Sequence, residues 1–498
     1  MTKIALLQAL QNFASPEIWL FIFIGVFIGI IFGIVPGLSG IVAVSLVLPF
    51  VFILTPEQAL PLIISIWAVQ FMGGSVTAIL LGIPGTPPSA ATLLDGYPMS
   101  QKGEAGRALG AAMTSSGAGS VVTGLVALAG VFVVYPMVMA LRTADMVFIV
   151  LLGVAFIGIL GSDSMIKGLV SGGLGLLISF IGFQPSSGLA RFTFGSLYLY
   201  DGLPLLPVIL GIFALPEMIS LASSGGSIAK TAAVVRGMKE VWVGVSDVGK
   251  HWGLCVRSAI IGFVAGLIPG PGASAATFVA YGQAKKTSKH PETFGFGNVE
   301  GVIAPESAND AKEGGAVLTT LAIGIPGSGD MVLLLGAMTL LGIAPGPVML
   351  TQYLPLTITL MWTILMASFI GVVICLPLCP YLAKVAFIPS RILVPVVITM
   401  VAVGLFTYKE VITDLLVALI FGAIGLVMKK FEFNRPALVL GFVLGTVFER
   451  NFFLALSMNG PFFFMRPVSI GIILIIIALF AYDPIKGVFE RSARRRKQ

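Results

Sequence analysis

A run of about 17–25 mainly apolar residues can satisfy its own backbone inside a bilayer only as a helix. This chain carries several. Ile18 to Val35, Pro61 to Leu81, Leu354 to Leu376 and Val468 to Tyr482 each approach or exceed that length. Only 10% of the 498 residues are charged, against about 25% in a soluble domain, so no water-facing surface can be built around these runs. The period-two alternation of a barrel strand is absent. The pattern predicts an all-α polytopic membrane protein of about twelve to fourteen segments, by the length rule. The 60 glycines and 30 prolines are compatible with it, since neighbouring helices or a wet cavity can satisfy the backbone groups they free.

The net charge of +7 is gathered into clusters: Lys230, Arg236, Lys239, Lys250 and Arg257 mid-chain, and Arg491, Arg494, Arg495, Arg496 and Lys497 at the end. Basic runs also bind nucleic acid, but beside membrane helices they mark cytoplasmic loops. Both clusters are expected in the cytoplasm, with no nucleic-acid partner. Only Lys3 is charged before Glu17, so no signal peptide is read and the first apolar run is expected to be retained. Cys255, Cys375 and Cys379 sit in or beside apolar segments and read as packing residues.

Two motifs recur in the same order. Gly33-Ile34-Val35-Pro36-Gly37 ends the first run, as Gly266-Leu267-Ile268-Pro269-Gly270 ends the first run after the central basic stretch. Gly73-Gly74-Ser75-Val76 then leads to Gly82-Ile83-Pro84-Gly85-Thr86, as Gly314-Gly315-Ala316-Val317 leads to Gly324-Ile325-Pro326-Gly327-Ser328. The chain therefore divides into an N-terminal segment (1–16), a first transmembrane repeat (17–222), a cytoplasmic linker (223–252), a second repeat (253–482) and a basic cytoplasmic tail (483–498). A cytoplasmic linker and a periplasmic N-terminus make the repeats inverted, as in many secondary transporters with broken helices and re-entrant hairpins.

Gly-x-x-Pro-Gly inside an apolar run breaks a helix. Broken helices aim N-terminal amides at anions and C-terminal carbonyls at cations. Small hydroxyl residues follow each break: Ser39, Thr86, Ser274 and Ser328. The expected substrate contacts are Pro84, Gly85, Thr86, Pro326, Gly327 and Ser328, with Asn309 from the polar stretch Asn298 to Asp310. The expected cation contacts are Pro36, Gly37, Ser39, Pro269, Gly270 and Ser274, for a possible Na+ and no other metal. The plainer reading of these residues is close helix packing, and that of Glu306 and Asp310 a solvated loop. Asp95 and Lys102 read as a plain loop. His251 and His290 both neighbour lysines, which favours sodium over proton coupling.

An enzymatic alternative has residues behind it. Tyr200-Asp201, Gly327-Ser328-Gly329-Asp330 and Pro436-Ala437-Leu438 follow the order of the YD, GxGD and PAL elements of intramembrane aspartyl proteases, in which two aspartates share a proton. The non-enzymatic reading is preferred, because the GxGD overlaps a motif that the repeat already explains.

Glu300 to Asp310 running into Gly324 to Ser328, the closing Ala344-Pro345-Gly346-Pro347, and Leu93-Leu94-Asp95-Gly96-Tyr97-Pro98 leading to Gly106-Arg107-Ala108-Leu109-Gly110 carry a resemblance. The chain resembles, over essentially its whole length, the large membrane subunit (TctA) of the tripartite tricarboxylate transporters. Asp310 departs from the asparagine expected after Asn309. The resemblance implies a permease in a bacterial inner membrane, taking up citrate-like di- and tricarboxylates with sodium and without other cofactors. It implies two partners, a small TctB-like membrane subunit and a periplasmic TctC-like solute-binding protein. Elevator-like movement is the expected mechanism, and no GxxxxGK[ST] phosphate loop is present.

Overall fold

The computed structural model of the protein describes residues 2–35, 38–160, 164–184, 187–223, 235, 237–270, 272–382, 384–385 and 390–480. The first half runs α1 (Thr2–Ala14), α2 (Pro16–Ile34), α3 (Gly40–Val51), α4 (Pro56–Leu81), α5 (Ser89–Gln101), α6 (Ala105–Met139), α7 (Thr143–Leu160) and α8 (Met165–Ser179). It ends in one helix composed of α9 (Leu205–Ile209), a π-helical turn (Leu210–Ala214) and α10 (Leu215–Ser223). The second half runs α11 (Met238–Lys250), α12 (Trp252–Leu267), α13 (Gly272–Thr287), α14 (Glu300–Ile323), α15 (Met331–Leu340), α16 (Leu354–Leu382), α17 (Ser390–Lys409), α18 (Ile412–Lys430), α19 (Arg435–Asn459) and α20 (Pro467–Phe480). Two-residue strands, Gly182–Phe183 and Ala190–Arg191, pair in a loop. The protein is an all-α polytopic membrane protein. Eight of its described helices are long and apolar enough to cross a bilayer, and seven further apolar helices have 10–17 residues.

The halves repeat one another in packing as well as order. The α2 helix lies on α4 as α12 lies on α14, while α1 docks on α16 as α11 docks on α6. The halves also interlock, with α6 against α14 and α16 against α4. A second group packs outside this one: α8 and α7 on α19, and α18 on the π-helical turn. Residues 223–252, expected as linker, contain α11. Its Asp247 accepts from Arg107 on α6 at 2.7 Å.

Glycine spacing sets the closest seams. A Cβ on Gly25, Gly29 or Gly33 of α2 would come within 2.5, 2.5 and 2.1 Å of carbonyl oxygens on α4. Gly262 and Gly266 of α12 stand 2.2 and 2.1 Å from carbonyl oxygens of α14 in the same sense. Every fourth residue falls on one helix face, so the repeated glycine lets the backbones touch. Gly82 (φ 69°) and Gly324 (φ 82°) end α4 and α14 in the left-handed conformation that lacks a Cβ penalty.

The polar stretch before the second Gly-Gly is not a loop. Glu306, Ser307, Asn309, Asp310, Lys312 and Glu313 all lie inside α14, each at most 1% exposed. Ser75 on α4 donates to Glu306 at 2.6 Å, Thr92 on α5 donates to the same carboxyl, and Ser116 on α6 donates to Asp310. These residues read as loop-like because the segment is too polar for a lipid-facing helix, but α14 is enclosed by other helices and faces no lipid. Asp95, also expected in a loop, is buried in α5 and accepts the amides of Gly295, Gly297 and Asn298 at 2.8–2.9 Å and the Tyr281 hydroxyl at 2.8 Å. It ties α5 to the segment entering α14. The three cysteines are free and buried.

Candidate substrate cavity

Each break ends one helix and starts another. Ser39 precedes α3, Pro88 precedes α5, Gly272 opens α13 and Asp330 precedes α15, and all four line one cavity of about 430 Å³. Four helix N-termini thus point their amide ends into a single space. The N-cap side chains of α3 and α15, Ser39 and Asp330, make no capping bond to their own helices. The aligned peptide dipoles favour an anion by about 0.3–1 kcal/mol per terminus, although the first amides of α5 and α15 already donate to the carbonyls of Thr86–Pro88 and Ser328–Asp330.

All four expected hydroxyl residues, Ser39, Thr86, Ser274 and Ser328, line this cavity, and the Thr86 hydroxyl is buried with no partner. Gly85 also lines it, but Pro84, Pro326, Gly327, Pro269 and Gly270 do not. The amides of Gly85 and Gly327 are already engaged. They donate to the Gly74 carbonyl at 3.2 Å and to Thr320 Oγ1 at 3.1 Å, because the chain folds back on the helix it has just left. Pro36 and Gly37 lie outside the described residues. Asn309 is fully buried, with neither amide atom partnered, and is not among the cavity-lining residues.

Four polar lining residues were not singled out from the sequence, Gln70, Glu217, Lys312 and Arg435, and Asp330 was weighed there only as a protease aspartate. Lys312 donates to Glu313 at 2.6 Å and to Ser328 Oγ at 3.2 Å, and lies 5.4 Å above the Phe71 ring. Arg435, in the first turn of α19, donates to Glu217 at 2.9 Å and to the Ile212 carbonyl of the π-helical turn at 3.4 Å. Glu217 also accepts from Lys429 at 2.7 Å. A lysine at membrane depth is itself a functional signal. Lys312 was hidden by the more polar neighbours of its segment, and Arg435 by a segment with no repeat signal of its own. Asp201 is exposed and lines a different cavity with Tyr200, Thr339 and Glu449, whereas Asp330 lines the central one. The two aspartates do not form a dyad.

Residues 19–440 match the Tripartite tricarboxylate transporter TctA family. The chain belongs to that family. It is also similar to an uncharacterized 52.8 kDa protein in the TAR-I ttuC' 3' region of Agrobacterium vitis, 32% identical over 93% of this chain and 94% of the relative. A second Agrobacterium vitis protein, from the TAR-II ttuC' 3' region, is 33% identical over 44% of this chain and 93% of its own length. No solved structure matches. The chain is thus the TctA-family membrane subunit of a tripartite tricarboxylate transporter, a multi-pass membrane protein that works with partner subunits. The family is one of transporters. Among the described residues no group of three or more His, Cys, Asp or Glu side chains is placed to hold a metal ion.

Proposed function

We propose that this chain is the permease through which small di- and tricarboxylates, citrate among them, enter a bacterial cell across its inner membrane. The observation that carries the reading is the meeting of four helix N-termini and four hydroxyl side chains in one cavity. Substrate carboxylates accept from Thr86 and Ser328, at the positive dipole ends of α5 and α15. Sodium is the coupling ion, bound near the first and third breaks by Ser39, Ser274 and the last-turn carbonyls of Gly33 and Gly266, which lie 2.8 Å from where a Cβ on Gly85 or Gly327 would stand. Hard carbonyl and hydroxyl oxygens suit a sodium-sized cation. A TctC-like binding protein delivers substrate in the periplasm and a TctB-like subunit completes the membrane complex. The helices carrying the breaks move as a body against the rest, elevator-fashion, between inverted repeats.

The test is uptake of labelled citrate and succinate into vesicles holding this chain with both partners, with an inward sodium gradient and without one. Accumulation that needs the gradient is expected. A complete complex that accumulates neither acid overturns the reading; accumulation driven equally by a pH gradient without sodium overturns its ionic part.

A further inference from the structure

We propose that the cavity selects dianions over monoanions through a two-cation clamp, Lys312 on one wall and Arg435 on the other, with Glu217 holding Arg435 until substrate arrives. The inference rests on the carboxylate reading above and adds which charges set its selectivity. The two cations belong to different groups of helices. Lys312 is on α14, packed among α12, α6 and α13, whereas Arg435 is on α19, packed on α8 and α7. Both line the same cavity. The fourth break brings its tip to the second cation, since a Cβ on Gly329 would stand 3.2 Å from the Pro436 ring.

The existing ion pairs explain how each cation can take a new partner. Breaking a buried pair is expensive when it leaves a lone charge behind. Glu217 holds two cations, Arg435 at 2.9 Å and Lys429 at 2.7 Å. When Arg435 turns to a substrate carboxylate, Glu217 stays paired with Lys429, and no buried charge is orphaned. Lys312 has three donor positions. One is fixed on Glu313, and the one on Ser328 is the longer bond at 3.2 Å, so a carboxylate can join Lys312 while the Glu313 pair persists. The planar guanidinium of Arg435 suits a carboxylate edge-on. A monoanion engages one wall only; a dianion spans both and links the two helix groups through itself.

The experiment uses the purified full-length chain in lipid nanodiscs and compares succinate with butyrate, which share a four-carbon chain and differ by one carboxylate. The parent is expected to bind succinate more tightly. In Arg435→Gln the ratio of succinate to butyrate affinity falls about tenfold or more, the worth of one charge-assisted hydrogen bond. Arg435→Lys keeps the charge and restores part of the ratio, and Glu217→Gln raises it by weakening the resident competitor. The ratio is a property of each folded molecule, so loss of folded protein does not move it. A ratio unchanged in Arg435→Gln overturns the clamp alone, whereas a parent that binds neither acid overturns the reading of the cavity on which the clamp rests.

Discussion

Gly327 offers the most direct test of how tightly the fourth break is built. It sits against bare backbone: a Cβ would come 2.5 Å from Ala316 Cα and 2.8 Å from the carbonyl oxygens of both Ala316 and Gly266. Carbon atoms pack comfortably at about 3.5 Å, so Gly327→Ala must push the tip about 1 Å away from α14 and α12, with no flexible side chain to yield. Overpacking of this kind costs about 1–3 kcal/mol. The shift also pulls Gly327 N from Thr320 Oγ1, a 3.1 Å bond, worth about another 1 kcal/mol. Gly173 in α8 is the matched control, because nothing lies within 4 Å of its Cβ position. There an alanine is neutral or stabilising by about 0.5–1 kcal/mol through helix propensity. Melting of each variant in the same lipid or detergent, with citrate uptake by the assembled complex, reads both effects. Gly327→Ala should melt clearly lower and lose most uptake, while Gly173→Ala keeps both. Equal melting and uptake in the two variants would refute the close approach described for the break.

Asp95→Ala leaves three backbone amides without their acceptor and should lower stability by about 3 kcal/mol or more; a melting change worth less than about 1 kcal/mol would contradict the tie between α5 and the entry to α14. Burial raises the carboxyl pKa of Asp247, but hydrogen bonds from Arg107 and Lys250 outweigh it and hold the carboxyl below its ordinary range. A lowered folded-state pKa gives stability that is present above the unfolded value, about 3.9, and lost as pH falls through the folded one. Hydrogen exchange in α11 should therefore accelerate only below about pH 4, and Asp247→Asn should remove that dependence; unchanged acid sensitivity in the variant would assign it elsewhere. Because the native cysteines are buried, Gln8→Cys and Ser246→Cys can report topology by thiol labelling from either side, and labelling from the same side would end the inverted plan. Asp201→Asn should keep citrate uptake, and the parent should cut no peptide; cleavage lost with either Asp201→Asn or Asp330→Asn would restore the protease.

The breaks were legible because Pro and Gly together interrupt a helix whatever apolar residues surround them, and their repetition in two halves removed chance. The four hydroxyl residues after them were legible for the same reason, and they do meet. What the sequence concealed is burial. Glu306, Asp310, Lys312 and Glu313 look solvated in one dimension, and only the wrapping of α14 by α4, α5, α6 and α12 puts them out of water. Asp95 was hidden likewise: the backbone amides that donate to it lie 200 or more residues ahead in the chain. The plainer reading of the glycines, close helix packing, is visible directly. Gly33 and Gly266 make the seams, and the same close approach brings the break tips to one cavity. Arg435 and Glu217 come from segments with no repeat signal, so spacing could not join them.

The repeat also explains where the charge sits. Gly85 and Gly327 are 242 positions apart, as are Gly74 and Ala316 that support them, and Gln70 and Lys312 that face the cavity. Backbone is copied; charge is not. The position equivalent to Glu313 is Phe71, and the Lys312 ammonium lies over that ring as well as beside Glu313. A lysine at position 70 would have Phe71 where Lys312 has its acid, and so would stand buried without a counter-ion, which is several kcal/mol worse than a paired charge. Gln70 presents donors there without that penalty. On the proposed carboxylate reading, the copied part supplies helix dipoles, which favour any carboxylate and cannot be titrated away. The uncopied part supplies cations whose reach is directional, Lys312 from α14 and Arg435 from α19. If the cavity is the carboxylate site proposed above, its fold attracts anions and a few side chains choose among them.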